Sequence, residues 1–172
     1  MFTSAGNVSL IIGEIKFAEP KFPQGKGPAD FDICVEVTHA EDQAQHDWVR
    51  LEWSDNYGKG NFATMTQKEI TVRTLRQVGF EGDDLTTIGD QLTGKTAPGF
   101  VKESKPNAEG KTYMNVYLGG GGGNAPKEDE VLSADEIKRR LTGGGATAKA
   151  APTATAKAAP AFPSAGGKNP FA

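Results

Sequence analysis

Between Lys111 and Leu118 the chain alternates without a break: Met114, Val116 and Leu118 fall on one parity, Tyr113, Asn115 and Tyr117 on the other. A period of two belongs to a β-strand with one face in a core and the other in water. The wet face here carries two tyrosines, flat rings on which a ligand can stack. Thr96 to Glu103 reads as the partner strand, joined to it by the turn-rich Ser104–Gly110. Glycines fill every position from 119 to 123. Glycine weakens a strand by its conformational freedom, so this run reads as a hinge that ends the folded part.

Upstream, Val8 to Ala18 is rich in apolar and β-branched residues and reads as the first strand, with Gly13 as a bulge. The proline- and glycine-rich stretch 19–30 is a loop. Phe31 to Thr38 is the second strand, with Phe31, Ile33, Val35 and Val37 inward. Trp48 to Ser54 is the third, with Val49, Leu51 and Trp53 on the face opposite Trp48, Arg50 and Glu52. Thr66-Gln67-Lys68-Glu69 has the spacing of a capping box, so a helix follows, with Ile70, Val72, Leu75 and Val78 as its apolar face and Gly79 as its stop. A short helical turn over Asp84 to Gln91 buries Leu85, Ile88 and Leu92. The resulting order is three strands, a helix, two strands. That is the order of the five-stranded Greek-key barrel called the OB-fold, with its helix between strands three and four.

The sequence predicts three regions: a mainly β barrel domain over residues 1–123, a short acidic linker and helix over 124–141 opened by Ser133-Ala134-Asp135-Glu136, and a disordered tail over 142–172. In the tail, Ala-Thr-Ala-Lys-Ala-Ala-Pro occurs at 146–152 and again at 154–160. The net charge of −3 hides an asymmetry: the tail carries only Lys149, Lys157 and Lys168, which leaves −6 on residues 1–141. An acidic domain is a poor nonspecific binder of duplex DNA, so any nucleic-acid role rests on a local patch. No apolar run is long enough for a membrane span, and the single cysteine, Cys34, allows no internal disulfide, so a cytoplasmic protein is expected.

Chemistry-bearing motifs are few. Gly89-Asp90-Gln91-Leu92-Thr93-Gly94-Lys95-Thr96 has the spacing of a phosphate-binding loop, but Ala97-Pro98-Gly99 is a poor helix start, and such a loop needs a helix after it. Cys34, His39 and His46 lack metal-ligand spacing. Nothing points to catalysis, a cofactor or a metal. The aromatic and basic residues are more informative. Strand parity turns Trp48 and Arg50 outward on the third strand, Phe100 and Lys102 on the fourth, and Tyr113 and Tyr117 on the fifth. The loop after strand one adds Lys21, Phe22 and Lys26; the loop after strand four adds Lys105, next to Lys111. OB-folds bind oligomers on the face of strands two and three between these two loops, and rings interleaved with cations are what a single-strand site requires. Asp32 and Glu36 also face outward and oppose phosphate. The competing reading is a protein-interaction module, in which Trp48 and the tyrosines are covered by the C-terminal helix or by a second copy of the chain.

The stretch from Arg73 to Leu118, with the strands before it, resembles small phage-encoded OB-fold proteins that accompany DNA replication and recombination. The likeness lies in a helix ending at Val78-Gly79, the element Leu92-Thr93-Gly94-Lys95, and a closing hairpin. The terminal Asn169-Pro170-Phe171-Ala172 is similar to the tip of single-stranded DNA-binding proteins, though Lys168 stands where those carry aspartates. The resemblance implies a non-enzymatic protein that coats single-stranded DNA in the host cytoplasm. It also implies that the tail recruits replication or recombination proteins.

Overall fold

The fold was analysed in a computed structural model, which describes residues 1–119, 121–122 and 125–143. Six strands form one sheet: β1 (Gly6–Ala18), β2 (Phe31–His39), β3 (His46–Trp53), β4 (Thr96–Glu103), β5 (Met114–Leu118) and β6 (Gly121–Gly122). Their order is β3-β2-β1-β4-β5-β6, with every neighbouring pair antiparallel. The sheet curls until β6 meets β3, giving a nearly closed barrel: a Cβ on Gly121 would stand 2.8 Å from the Arg50 carbonyl oxygen and against Leu51. Near-closure leaves little open edge for another chain to pair with.

The core follows strand parity. Phe31, Ile33, Val35 and Val37 from β2, Val49 and Leu51 from β3, and Val116 and Leu118 from β5 are each at most 1 % exposed. The register of β1 against β2 shifts between Ile12 and Ile15, which places the expected bulge at Gly13. The bulge lets β1 pair β4 with its first half and curve across β2 with its second.

Helix α1 (Gln67–Gln77) starts at the Thr66 capping box: Glu69 N donates to Thr66 Oγ1, and the Glu69 carboxylate accepts from Thr66 N at 2.6 Å. Its buried residues are Ile70, Thr71, Thr74 and Leu75, so the helix is rolled relative to the expected face and Val72 is left partly exposed. Thr71 Oγ1 docks the helix by donating to the Glu52 carbonyl at 2.7 Å. A 3-10 turn (Leu85–Thr87) and α2 (Ile88–Leu92) bury Leu85, Ile88 and Leu92 as expected.

Two expectations are corrected. The described residues form six strands, because Gly121 and Gly122 pair with Leu118 and Tyr117 instead of acting as a hinge. Glycine is required there by close approach: a Cβ on Gly122 would lie 2.6 Å from the Tyr117 ring. β5 begins at Met114, so Tyr113 belongs to the connection before it. The helix expected after Ser133 is present, and the acidic segment leading into it is built onto the barrel. Val131 bridges Ala18, Leu132 N donates to the Phe17 carbonyl at 2.7 Å, and α3 (Ala134–Leu141) buries Ile137 completely. The expected tail falls, beyond Gly143, outside the described residues.

Candidate nucleic-acid interface

The loop between β1 and β2 is pinned at three points. Lys21 N donates to Asp32 Oδ2 at 3.0 Å, Gly27 N donates to Asp30 Oδ2 at 2.7 Å, and the Lys26 ammonium pairs with Glu52. These anchors hold the loop over the outer face of β2 and β3. A cavity of about 380 Å³ opens beneath it, lined by Lys21, Phe22, Lys26, Asp32, Arg50, Glu52, Asn115, Tyr117 and Gly122. Five residues nominated from the sequence therefore share one groove: Lys21, Phe22, Lys26, Arg50 and Tyr117.

The groove extends along β5. Asn115 also lines a second cavity of about 410 Å³ with Met1, Asp47, Tyr113 and Met114. Tyr113 is held there by its backbone: its carbonyl accepts from Ser104 N at 2.7 Å and its N–H donates to Ser104 Oγ at 2.9 Å. The ring stays 45 % exposed. Asn107 shapes the rest of this loop by accepting from Glu109 N and Lys111 N, both at 2.9 Å. Lys105 and Lys111 are exposed on it, and Lys111 pairs with Glu109 at 3.0 Å. Lys102, exposed on β4, is in register with Asn115; Phe100, 44 % exposed, is in register with Tyr117. A continuous surface thus runs from the β1–β2 loop, across β3, β6 and β5, to the β4–β5 loop.

Not every nominated residue keeps the role expected of it. Arg50 does face outward, but it is only 7 % exposed: Nη1 donates to Asp32 at 3.0 Å and to the Glu19 carbonyl at 3.3 Å, and Nη2 to Glu130 at 2.5 Å. Its expected role as a phosphate contact is corrected to that of a buried structural cation. Lys26 is corrected in the same way. Its side chain is 10 % exposed and bound to Glu52, and burial holds its pKa below the ordinary lysine value. Trp48 lies on the outer face but lines neither cavity; it is in register with Glu36, and Lys16 Nζ stands 5.2 Å from its ring centroid. Phe22, 68 % exposed, has Lys21 Nζ 5.6 Å from its ring centroid.

Parity reasoning placed Asn115 beside the tyrosines without nominating it, although it joins the two cavities. Gly122 had no sequence signal beyond its glycine neighbours. The Gly89–Thr96 segment is not followed by a helix: α2 ends at Leu92 and β4 begins at Thr96, while Lys95 Nζ donates to the Gly79 carbonyl at 2.9 Å. Cys34 is fully buried and its thiol is pushed up to about 12 by burial, so it is held protonated. No cluster of His, Cys, Asp or Glu among the described residues is placed to hold a metal, and no described helix is long and apolar enough to cross a membrane. The chain matches no protein-family model and no curated protein sequence.

Proposed function

We propose that this chain is an OB-fold-type single-stranded DNA-binding protein, with the strand lying along the surface between the β1–β2 and β4–β5 loops. The observation that carries the reading is the convergence of Phe22, Tyr117 and, through Asn115, Tyr113 on one continuous groove. Rings in a groove can stack on the π-face that every base has, so affinity for a strand arises there before any base edge is read. The strand order supports the barrel assignment. β1 pairs both β2 and β4, and the fifth strand closes toward the third through β6, a pairing that suits a Greek-key barrel with an appended closing hairpin. Cytoplasmic replication or recombination partners, reached through residues beyond Gly143, belong to the same proposal.

The cations available to phosphate are those at the rim: Lys21, Lys102, Lys105 and Lys111. Four neutralised phosphates correspond to a slope of log affinity against log salt of roughly −3 for a single strand. The test is a fluorescence titration with a mixed-sequence single strand and with its duplex, at about 50 and about 200 mM salt. Salt-sensitive single-strand binding well above duplex binding is expected. A specific observation favours the second reading, a protein-interaction module: Asp32, Glu52 and Glu130 already neutralise Arg50 and Lys26. Absence of single-strand binding at the lower salt would overturn the first reading and move the assignment to the second.

A further inference from the structure

The floor of the groove carries carboxylates with acceptor capacity left over. Both hydrogen bonds that Asp32 accepts go to Oδ2, from Lys21 N and Arg50 Nη1. Both that Glu52 accepts on its side chain go to Oε1, from Lys26 and Ser54. A carboxylate offers about four acceptor sites over its two oxygens. Asp32 Oδ1 and Glu52 Oε2 therefore remain able to accept in a cavity of about 380 Å³, a size in the usual range of small-ligand sites. The Asn115 amide lines the same space. Of the donors on this floor, Lys26 spends two of its three N–H groups on Glu52 and Ser54, and Arg50 is bound to Asp32, Glu130 and the Glu19 carbonyl. The rim has the opposite character, with exposed Lys21 and Phe22.

We infer that the groove selects nucleobases bearing an exocyclic amine (cytosine, adenine and guanine) over uracil and thymine, with Glu52 and Asp32 as the selecting groups. The inference rests on the single-strand reading and deepens it. Carboxylates on the floor, Asp32 buried and Glu52 partly so, repel phosphate, so the strand enters bases first and leaves its phosphates at the lysine rim. Inside, a carboxylate accepts from an amine such as cytosine N4. Uracil presents at that position a carbonyl oxygen, and its one ring N–H lies between two carbonyls, so acceptors face acceptors. A buried polar group left unpaired is what makes such discrimination steep.

Oligodeoxycytidine and oligodeoxyuridine of equal length separate the amine from everything else, because the rings differ at position four and in the N3 proton it entails. At neutral pH the full chain is expected to bind the cytidine strand roughly tenfold more tightly, within the discrimination that one good base-edge contact gives. Glu52→Gln replaces one acceptor by a donor and should bring the two affinities to within about twofold, with folding checked by circular dichroism. Equal affinities in the parent chain overturn the inference and leave single-strand binding standing. Failure of both strands to bind, together with the mixed-sequence strand, overturns the single-strand reading and this inference with it. The parent comparison needs no substitution, so a variant that fails to fold does not remove the test.

Discussion

Arg50 Nη1 lies 3.0 Å from Asp32 Oδ2, and each side chain is at most 7 % exposed. The pair crosses from β3 to β2 on the diagonal, two residues apart in register, since Cα pairing sets Arg50 against Cys34 and Asp32 against Glu52. Glu130 reaches the other end of the guanidinium, so three segments distant in sequence meet on one cation. Removing the cation leaves Asp32 buried beside Glu130 without its hydrogen-bonded counter-charge, with only the more distant pull of Lys26. Arg50→Ala is expected to cost about 3–5 kcal/mol of folding stability, the usual penalty for breaking a buried pair from one side. Urea denaturation measures it. A loss below about 1 kcal/mol would place the pair among solvated surface bridges instead.

The same cluster sets a pH dependence. The hydrogen bond from Arg50 holds the Glu130 carboxyl below its ordinary value of 4.5, and that from Arg140 does the same for Glu136. A carboxyl that is depressed in the folded state adds stability above its unfolded value and loses it as pH falls through the folded one. Asp32 has the opposite sign: burial raises it above 3.8, so its contribution is present at low pH and lost as pH rises through the folded value. With Asp42 and Asp84 also held low by hydrogen bonds from Gln45 and Thr86, four depressed carboxyls against one raised carboxyl predict net destabilisation below pH 4.5. Melting temperatures of the parent and of Glu130→Gln, followed downward from pH 6, should converge on the acid side. A gap that persists undiminished below the Glu130 titration would contradict the assignment.

The alternation of β2, β3 and β5 was legible because each turns one parity of apolar side chains into the core, and core parity survives any detail of the outer face. The Thr66 capping box and the Gly13 bulge were legible because each has a local chemical signature. What could not be read was whatever depends on a distant segment. Nothing near Arg50 in sequence announces Glu130, which turns an apparent phosphate contact into a buried ion pair. Val72 lost its expected place because Thr71 and Thr74 face the barrel, Thr71 bonding to Glu52. The glycine run was misread for the same reason: only the barrel shows that Leu51, Thr74 and Tyr117 leave no room for a Cβ.

Those glycines yield a sharper prediction. Gly121 has the Arg50 carbonyl oxygen and Leu51 where a Cβ would go. Backbone on one side and a buried core residue on the other leave little room to yield. Gly121→Ala should destabilise the fold by about 1–3 kcal/mol, the range for overpacking a close contact. Gly25, which has nothing within 4 Å of its Cβ position but a φ of +74°, supplies a comparison in which only backbone strain operates. Thermal denaturation of both variants distinguishes lost barrel closure from strain alone. An unchanged melting temperature in Gly121→Ala would mean that β6 does not seal the barrel.

Lysines that look alike in the sequence should behave differently toward a strand. Lys102 is exposed on β4, whereas Lys26 is bound to Glu52 with its side chain 10 % exposed. Lys102→Ala is expected to reduce the magnitude of the salt slope by about 0.7, the value for one neutralised phosphate on a single strand. Lys26→Ala should leave the slope nearly unchanged and instead lower stability, since it frees the Glu52 carboxylate. Equal slope changes for the two would return Lys26 to the phosphate-contacting set.

The rings decide whether the groove reads bases at all. The Tyr117 ring lies against β6, close enough that a Cβ on Gly122 would stand 2.6 Å from it. Tyr113 is clamped through its backbone to Ser104 and stays 45 % exposed. Pre-positioned rings lose little freedom when a base stacks on them, so each is expected to contribute about 1–3 kcal/mol. Tyr113→Ala and Tyr117→Ala together should therefore weaken binding of a mixed-sequence single strand by about 2–6 kcal/mol, if the two act independently. The salt slope should stay as in the parent, because neither ring carries charge. This pairing of lost affinity with an unchanged slope distinguishes stacking from electrostatic attraction. Circular dichroism and melting of the double variant guard against loss of the barrel, since Tyr117 also covers β6. If the folded double variant binds as tightly as the parent, the bases do not lie over β5, and the tyrosines serve a protein partner instead.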